Sequence, residues 1–140
     1  MAKDSPPVVV GVDGSPQSVA ALQWAADYAA AVGAPVKVVI SWQYPALYGT
    51  VPVVDEMNFE GAATKIVEKM AADIQIASPG LEVTTLVSAG RPAEILVRES
   101  ENAALLVVGS QGHGAFAGML IGSVSLHCVH HAHCPVVVVR

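Results

Sequence analysis

Positive charge is scarce in this chain: seven lysines and arginines stand against twelve aspartates and glutamates, a formal charge of -5. Such a balance leaves no basic footprint for a polyanionic backbone, so nucleic acid is not an expected partner. Lysine occurs only at positions 3, 37, 65 and 69. None follows a glycine-rich loop in the G-x-x-x-x-G-K-[ST] pattern, which excludes a P-loop NTPase. Only two cysteines are present, Cys128 and Cys134, too few for a disulfide framework, and they are expected to stay reduced. The first residues, MAKDSPP, carry no apolar signal core, and no apolar run reaches the roughly 18 residues of a membrane span. A soluble, cytoplasmic protein with no membrane partner is the expectation.

What is abundant is aliphatic. Hydrophobic residues make up 53% of the 140 positions and charged ones 14%, the balance of strands buried on both faces rather than of a half-solvated antiparallel sheet or a disordered chain. The length suits one domain spanning 1–140, with 1–6 as a flexible tail. Val8 to Val12 is a short β-branched run ending at Gly14, a buried first strand. Ser15 and Pro16 then supply a helix cap and a first-turn proline, and Gly33 supplies a stop. Val19, Leu22, Ala26 and Ala29 are expected on the buried face of that helix. Val36 to Trp42 reads as a second strand and 43–54 as a loop. From about Asp55 to Ala77, apolar residues at Phe59, Ala62, Ile66, Met70 and Ile74 recur at helical steps. A strand near Glu82 to Ser88, a helix opened by Pro92, a strand at Leu105 to Val108, a helix ending near His131 and a strand at Pro135 to Val139 complete an α/β alternation.

Alternating strands and helices imply a parallel sheet with right-handed crossovers. Two strand orders are common, and they place the ligand crevice differently. In 3-2-1-4-5 the loops VDGS (12–15) and GSQG (109–112) face each other across it. In 2-1-3-4-5 the third strand and its AGRP loop flank it instead.

The segment GSQGHGAFAGMLIGSVS, 109–125, is the most informative. Its glycines permit close approach of backbone N–H groups to a phosphate, and the helix opening at GSVS offers unpaired N–H groups, a positive dipole end and the hydroxyls of Ser123 and Ser125. The same pattern also suits a plain surface loop with Ser123 as a helix cap. GSQGHG runs G-x-x-G-x-G, the reverse of the dinucleotide fingerprint, and no acidic residue lies about 20 positions on, which argues against a dehydrogenase.

These residues resemble the ATP-binding branch of the universal stress protein family. Gly109-x2-Gly112-x9-Gly122-Ser123 matches the spacing of its nucleotide loop, and VVVGVDGSPQS, SAGRPAEIL, LLVVGSQGHG, GSVS and HAHCPVVVVR follow the family in order along the whole chain. The resemblance implies a five-stranded parallel sheet of order 3-2-1-4-5 with helices on both faces, and ATP, usually with a divalent cation such as Mg or Mn, between strands 1 and 4. It implies that Val12 and Asp13 meet the adenosine, that the backbone near Ser41 lines the adenine pocket, and that Gly109, Gly112, Gly122, Ser123, Val124 and Ser125 surround sugar and phosphates. Without the resemblance, a turn residue accepting local N–H groups before Gly14 is the alternative for Asp13. Many members carry arginine or lysine in the glycine loop where this chain has Gln111 and His113. Phosphate must then be held by amides and hydroxyls, with a cation on the phosphates supplying the missing charge.

The segment HCVHHAHCP, 127–135, invites a metal reading. His127 and His131 lie one helical turn apart, a chelating spacing, yet histidines in a last turn also complement the helix dipole. Cys128 falls where the family carries an apolar residue, so the preferred reading is a helix end with a core cysteine and no protein metal site, and a metal carrier through 127–134 is the alternative. The function expected is a stress-response regulator that senses or sequesters ATP and presents a changed surface to partners. A slow ATPase using Asp13 or His113 is the second reading, with no catalytic residue assigned. A phosphoryl-accepting receiver domain is excluded, because no aspartate follows strand 3 and no lysine follows strand 5. A homodimer through strand five is expected: Val136, Val137, Val138 and Val139 form a sheet edge that the chain leaves uncovered, and the resemblance implies the same interface.

Overall fold

The computed structural model describes residues 5–43, 58–111 and 122–140. Five strands and four helices alternate: β1 Val8–Val12, α1 Pro16–Val32, β2 Val36–Trp42, α2 Phe59–Ala77, β3 Val83–Ala89, α3 Pro92–Ser100, β4 Leu105–Gly109, α4 Ser123–His131 and β5 Val136–Val139. All strand pairs are parallel and the order is β3-β2-β1-β4-β5, the first of the two orders that the alternation allows. The loop expected over 43–54 lies outside the described residues except for Gln43, as do Gly112 and His113 of the glycine-rich segment and most of the expected tail.

Local chemistry sets the element ends. Ser15 caps α1, its Oγ accepting the Ser18 N–H at 3.2 Å, with Pro16 inside the first turn and Gly33 closing the helix at φ 74, the left-handed conformation that glycine adopts without strain. Asn58 caps α2, its Oδ1 accepting the Gly61 N–H at 2.8 Å. Any onset nearer Asp55 lies outside the described residues.

The period of two along the strands divides the core. Val8, Val10 and Val12 point toward α1 and α2 and join Leu22, Val38, Ile40 and Val67. Val9, Val39, Leu106 and Val108 point the other way, against Ile95, Leu96 and Cys128. Central strands buried on both faces account for the near-continuous valine runs.

Two helix faces differ from expectation. Val19 is 52% exposed, and α1 buries Ser18, Ala21, Leu22, Ala25, Ala26 and Ala29 instead. In α2 the buried stripe is Ala63, Val67, Met70, Ala71 and Ile74, with Ala62 and Ile66 turned outward. The sequence offers two interleaved apolar stripes there, and docking on the sheet selects the one with the small residues Ala63 and Ala71, which allow the closer approach.

Candidate functional site

A cavity of about 260 Å³ opens at the carboxyl ends of β1, β2 and β4, on the face covered by α3 and α4. This is where the strand order reverses, the general ligand position in open α/β sheets. Gly11, Val39 and Val108 form its floor, and Ile95 and Leu96 of α3 face Val124 of α4 as its walls. Gly11 is the floor residue that sets its depth. A Cβ there would lie 2.6 Å from Leu96 Cδ1, so any side chain would drive Leu96 from its place in the wall.

The polar rim comes from the two segments that the 3-2-1-4-5 order sets face to face. Asp13, Ser15 and Ser41 line one side, and Gly109, Gln111 and Ser125 the other. Asp13 lines the cavity, and its Oδ1 accepts the Ser15 N–H at 2.9 Å, so this carboxylate also holds the turn into α1. Across the crevice, Gln17 Oε1 accepts the Gln111 N–H at 2.7 Å and the Ser110 hydroxyl at 3.1 Å. The first turn of α1 thereby fixes the exit of β4. Gly109 permits that approach, since a Cβ on it would sit 3.2 Å from the Gln17 carbonyl oxygen. Ser125 Oγ donates to the Gly109 carbonyl, and the Gly122 N–H donates to the Ser110 carbonyl, which draws the N-terminus of α4 against the end of β4. Gly122 is the N-cap of α4, and no side chain caps that terminus among the described residues.

The expected site residues separate into groups. Val12, Asp13, Ser41, Gly109, Gln111, Val124 and Ser125 line the cavity. The Val12 side chain, however, belongs to the opposite core face, so only its main chain can meet a ligand. Ser123 is exposed and does not line the cavity, and it is not the cap of α4. Sequence reasoning missed Gly11, Trp42 and the α3 wall. The AGRP region was given to the crevice only in the other strand order, yet Pro92, Ile95 and Leu96 line it in this one, because α3 crosses the sheet face on its way from β3 to β4. The helical spacing of PAEIL marks a helix with an apolar face, but not the part of the sheet that this face covers. Among the described lining residues Asp13 is acidic and none is lysine or arginine.

The histidine and cysteine segment does not act as one unit. Cys128 is fully buried in the α3–α4 core, and burial first, with the nearby Cys134, pushes its thiol up to about 11. Burial also raises Cys134, whose Sγ donates to the Pro135 carbonyl at 3.4 Å. The His133 N–H donates to Ser100 Oγ at 2.9 Å, and its Nε2 lies 3.7 Å from Glu101 Oε1. Among the described residues no three histidine, cysteine or acidic side chains gather as metal ligands. No described helix is long and apolar enough to cross a membrane.

A doubly covered parallel sheet with a cleft at its order reversal defines a class of α/β proteins, and comparison with known proteins narrows it. The sequence model of the universal stress protein family matches residues 6–140. Universal stress protein Rv2005c of Mycobacterium tuberculosis is 38% identical over 134 residues, covering 96% of this chain and 45% of that protein, so the chain spans about half the length of the curated relatives it matches. Among solved structures, UspA of Lactobacillus plantarum superposes with a TM-score of 0.82 at 20% identity, over 97% of this chain and 99% of that one. A universal stress protein in complex with cAMP gives 0.72 at 24%, over 98% and 99%. The Archaeoglobus fulgidus protein in complex with dAMP gives 0.61 at 24%, over the full length of both. The chain belongs to the universal stress protein family.

Proposed function

We propose that this chain is a regulatory adenine-nucleotide-binding protein of the cytoplasm, which holds ATP in the crevice between β1 and β4 and presents a changed surface to partners when loaded. The observation that carries the reading is the cavity at the strand-order reversal, apolar in its floor and edged by the N-terminus of α4 with no side-chain cap. An apolar slot suits a purine, and a helix N-terminus suits a phosphate. The fold neighbours described as complexes with cAMP and dAMP support the adenine preference. Asp13 and the Ser41 backbone would meet the nucleoside, while Gly109, Gly112, Gly122, Ser123, Val124 and Ser125, with Gln111 and His113, would surround the phosphates. This donor set is made of amides, hydroxyls and one carboxylate, which fits a phosphate-bound Mg or Mn ion carrying the missing positive charge. It does not fit rapid phosphoryl transfer, for which no lining lysine or arginine is present among the described residues.

The same proposal includes a homodimer through β5. The Pro135 and Val139 carbonyls accept from the N–H groups of Leu106 in β4 and of Ser110 just beyond it, so alternation turns the amide groups of Val136 and Val138 to the outer edge. Exposed apolar side chains lie on helices of both sheet faces: Trp24 and Tyr28, stacked with centroids 5.4 Å apart, on α1, and Leu126 and Val129 on α4. Antiparallel pairing about a twofold axis would bring each patch onto its own copy.

Thermal unfolding tests the nucleotide reading. ATP with Mg is expected to raise the Tm of the parent, since binding the native state adds RT ln(1 + [L]/Kd) to stability. Ser41→Phe, filling the cavity, is expected to erase that rise. Equal shifts in both proteins would move the site elsewhere.

A further inference from the structure

We propose that His127 and His131 form an open two-histidine site on α4 for a borderline divalent ion of the zinc, nickel or copper(II) kind. Their ring centroids lie 4.5 Å apart with planes tilted by 40°, close enough for one nitrogen of each to reach a single ion at the roughly 2.0–2.1 Å bond length of such metals. Both side chains are exposed on the same helix flank, so closing the chelate needs only small changes of side-chain torsion. Neutral imidazole is a preferred donor for these ions.

The surroundings favour the ion in two ways. The pair sits in the last turns of α4, where the negative end of the helix dipole attracts a cation. The other candidate donors of the segment are engaged elsewhere or withdrawn. Cys128 is buried with its thiol kept protonated, Cys134 bonds to the Pro135 carbonyl, and His133 leans toward Glu101. His130 has its ring centroid 6.3 Å from that of His131, farther off than the 4.5 Å that separates His127 from His131. The pair therefore supplies two ligands, and the remaining positions on the ion stay open to water or to a donor from outside the chain.

Calorimetric titration of the untagged chain, stripped with EDTA, with nickel or zinc chloride decides the matter independently of nucleotide. The parent is expected to take one ion in the micromolar range near pH 7.5, and His127→Gln or His131→Gln to weaken it by roughly tenfold or more, as expected on losing half of a chelate. His130→Gln is expected to leave affinity within about twofold. Retained binding in the His127→Gln/His131→Gln double variant, loss of binding on His130→Gln with the pair intact, or no binding by a parent whose circular dichroism is that of folded protein would each overturn the site.

Discussion

A thiol buried between α3 and α4 makes Cys128 a reporter of folding. Its ionisation is pushed from 9.0 to about 11 in the folded chain, first by burial and then by Cys134, while in the unfolded chain it keeps its ordinary value. The thiolate is thus favoured by unfolding. Below the unfolded value both states carry a neutral thiol and stability is whole; as pH rises from about 9 toward 11 the unfolded state loses its proton first and stability declines. Urea unfolding at pH 8 and pH 10 is expected to show a drop in the parent that shrinks in Cys128→Ala. An equal drop in both would assign the effect to other groups. Gly11 and Val12 show why single residues were hard to read. The run VVVGV announces a buried strand, but which of its two faces meets a ligand depends on where α3 and α4 dock, which lies outside the run itself.

At the scale of elements, β5 carries the sharpest prediction. Val138 turns its N–H outward and Val137 turns its N–H toward β4, so proline at the two neighbours separates edge from sheet. Val138→Pro is expected to weaken self-association while preserving most of the fold, and Val137→Pro to cost about 1–3 kcal/mol by removing a ladder bond and leaving its carbonyl partner unpaired. Light scattering over a concentration series, beside urea unfolding, reads the two effects. A parent that stays monomeric at tens of micromolar would remove the interface, and a dimer indifferent to Val138→Pro would relocate it. The elements themselves were legible because their signals are local: Ser15-Pro16 and Gly33 bound α1, and β-branched runs mark the strands. The phase of a helix was not. Ala62 and Ile66 repeat at the same spacing as Ala63 and Val67, and only the sheet beneath decides which pair is buried. The wall supplied by α3 was hidden for a related reason, since a crossover's path is a property of the topology and not of PAEIL.

For the molecule as a whole, electrostatics governs what can be bound. The chain carries -5 overall, and the described cavity lining adds a carboxylate with no lysine or arginine. A triphosphate should therefore need a divalent ion far more than a monophosphate does. Removing Mg with EDTA is expected to weaken ATP by roughly tenfold or more and AMP by less than about twofold, because fewer charges are left uncompensated on AMP. Calorimetry with each nucleotide checks this, and ATP binding that ignores EDTA would mean that the protein itself provides the charge. The bond from Gln111 to Gln17 joins residues 94 apart in sequence, and β4 must be seated beside β1 before that bond can close. The lips of the crevice are consequently among the long-range contacts expected late in folding. A ligand held between them would recognise only chains that have completed the sheet, and its occupancy would count finished molecules rather than merely collapsed ones.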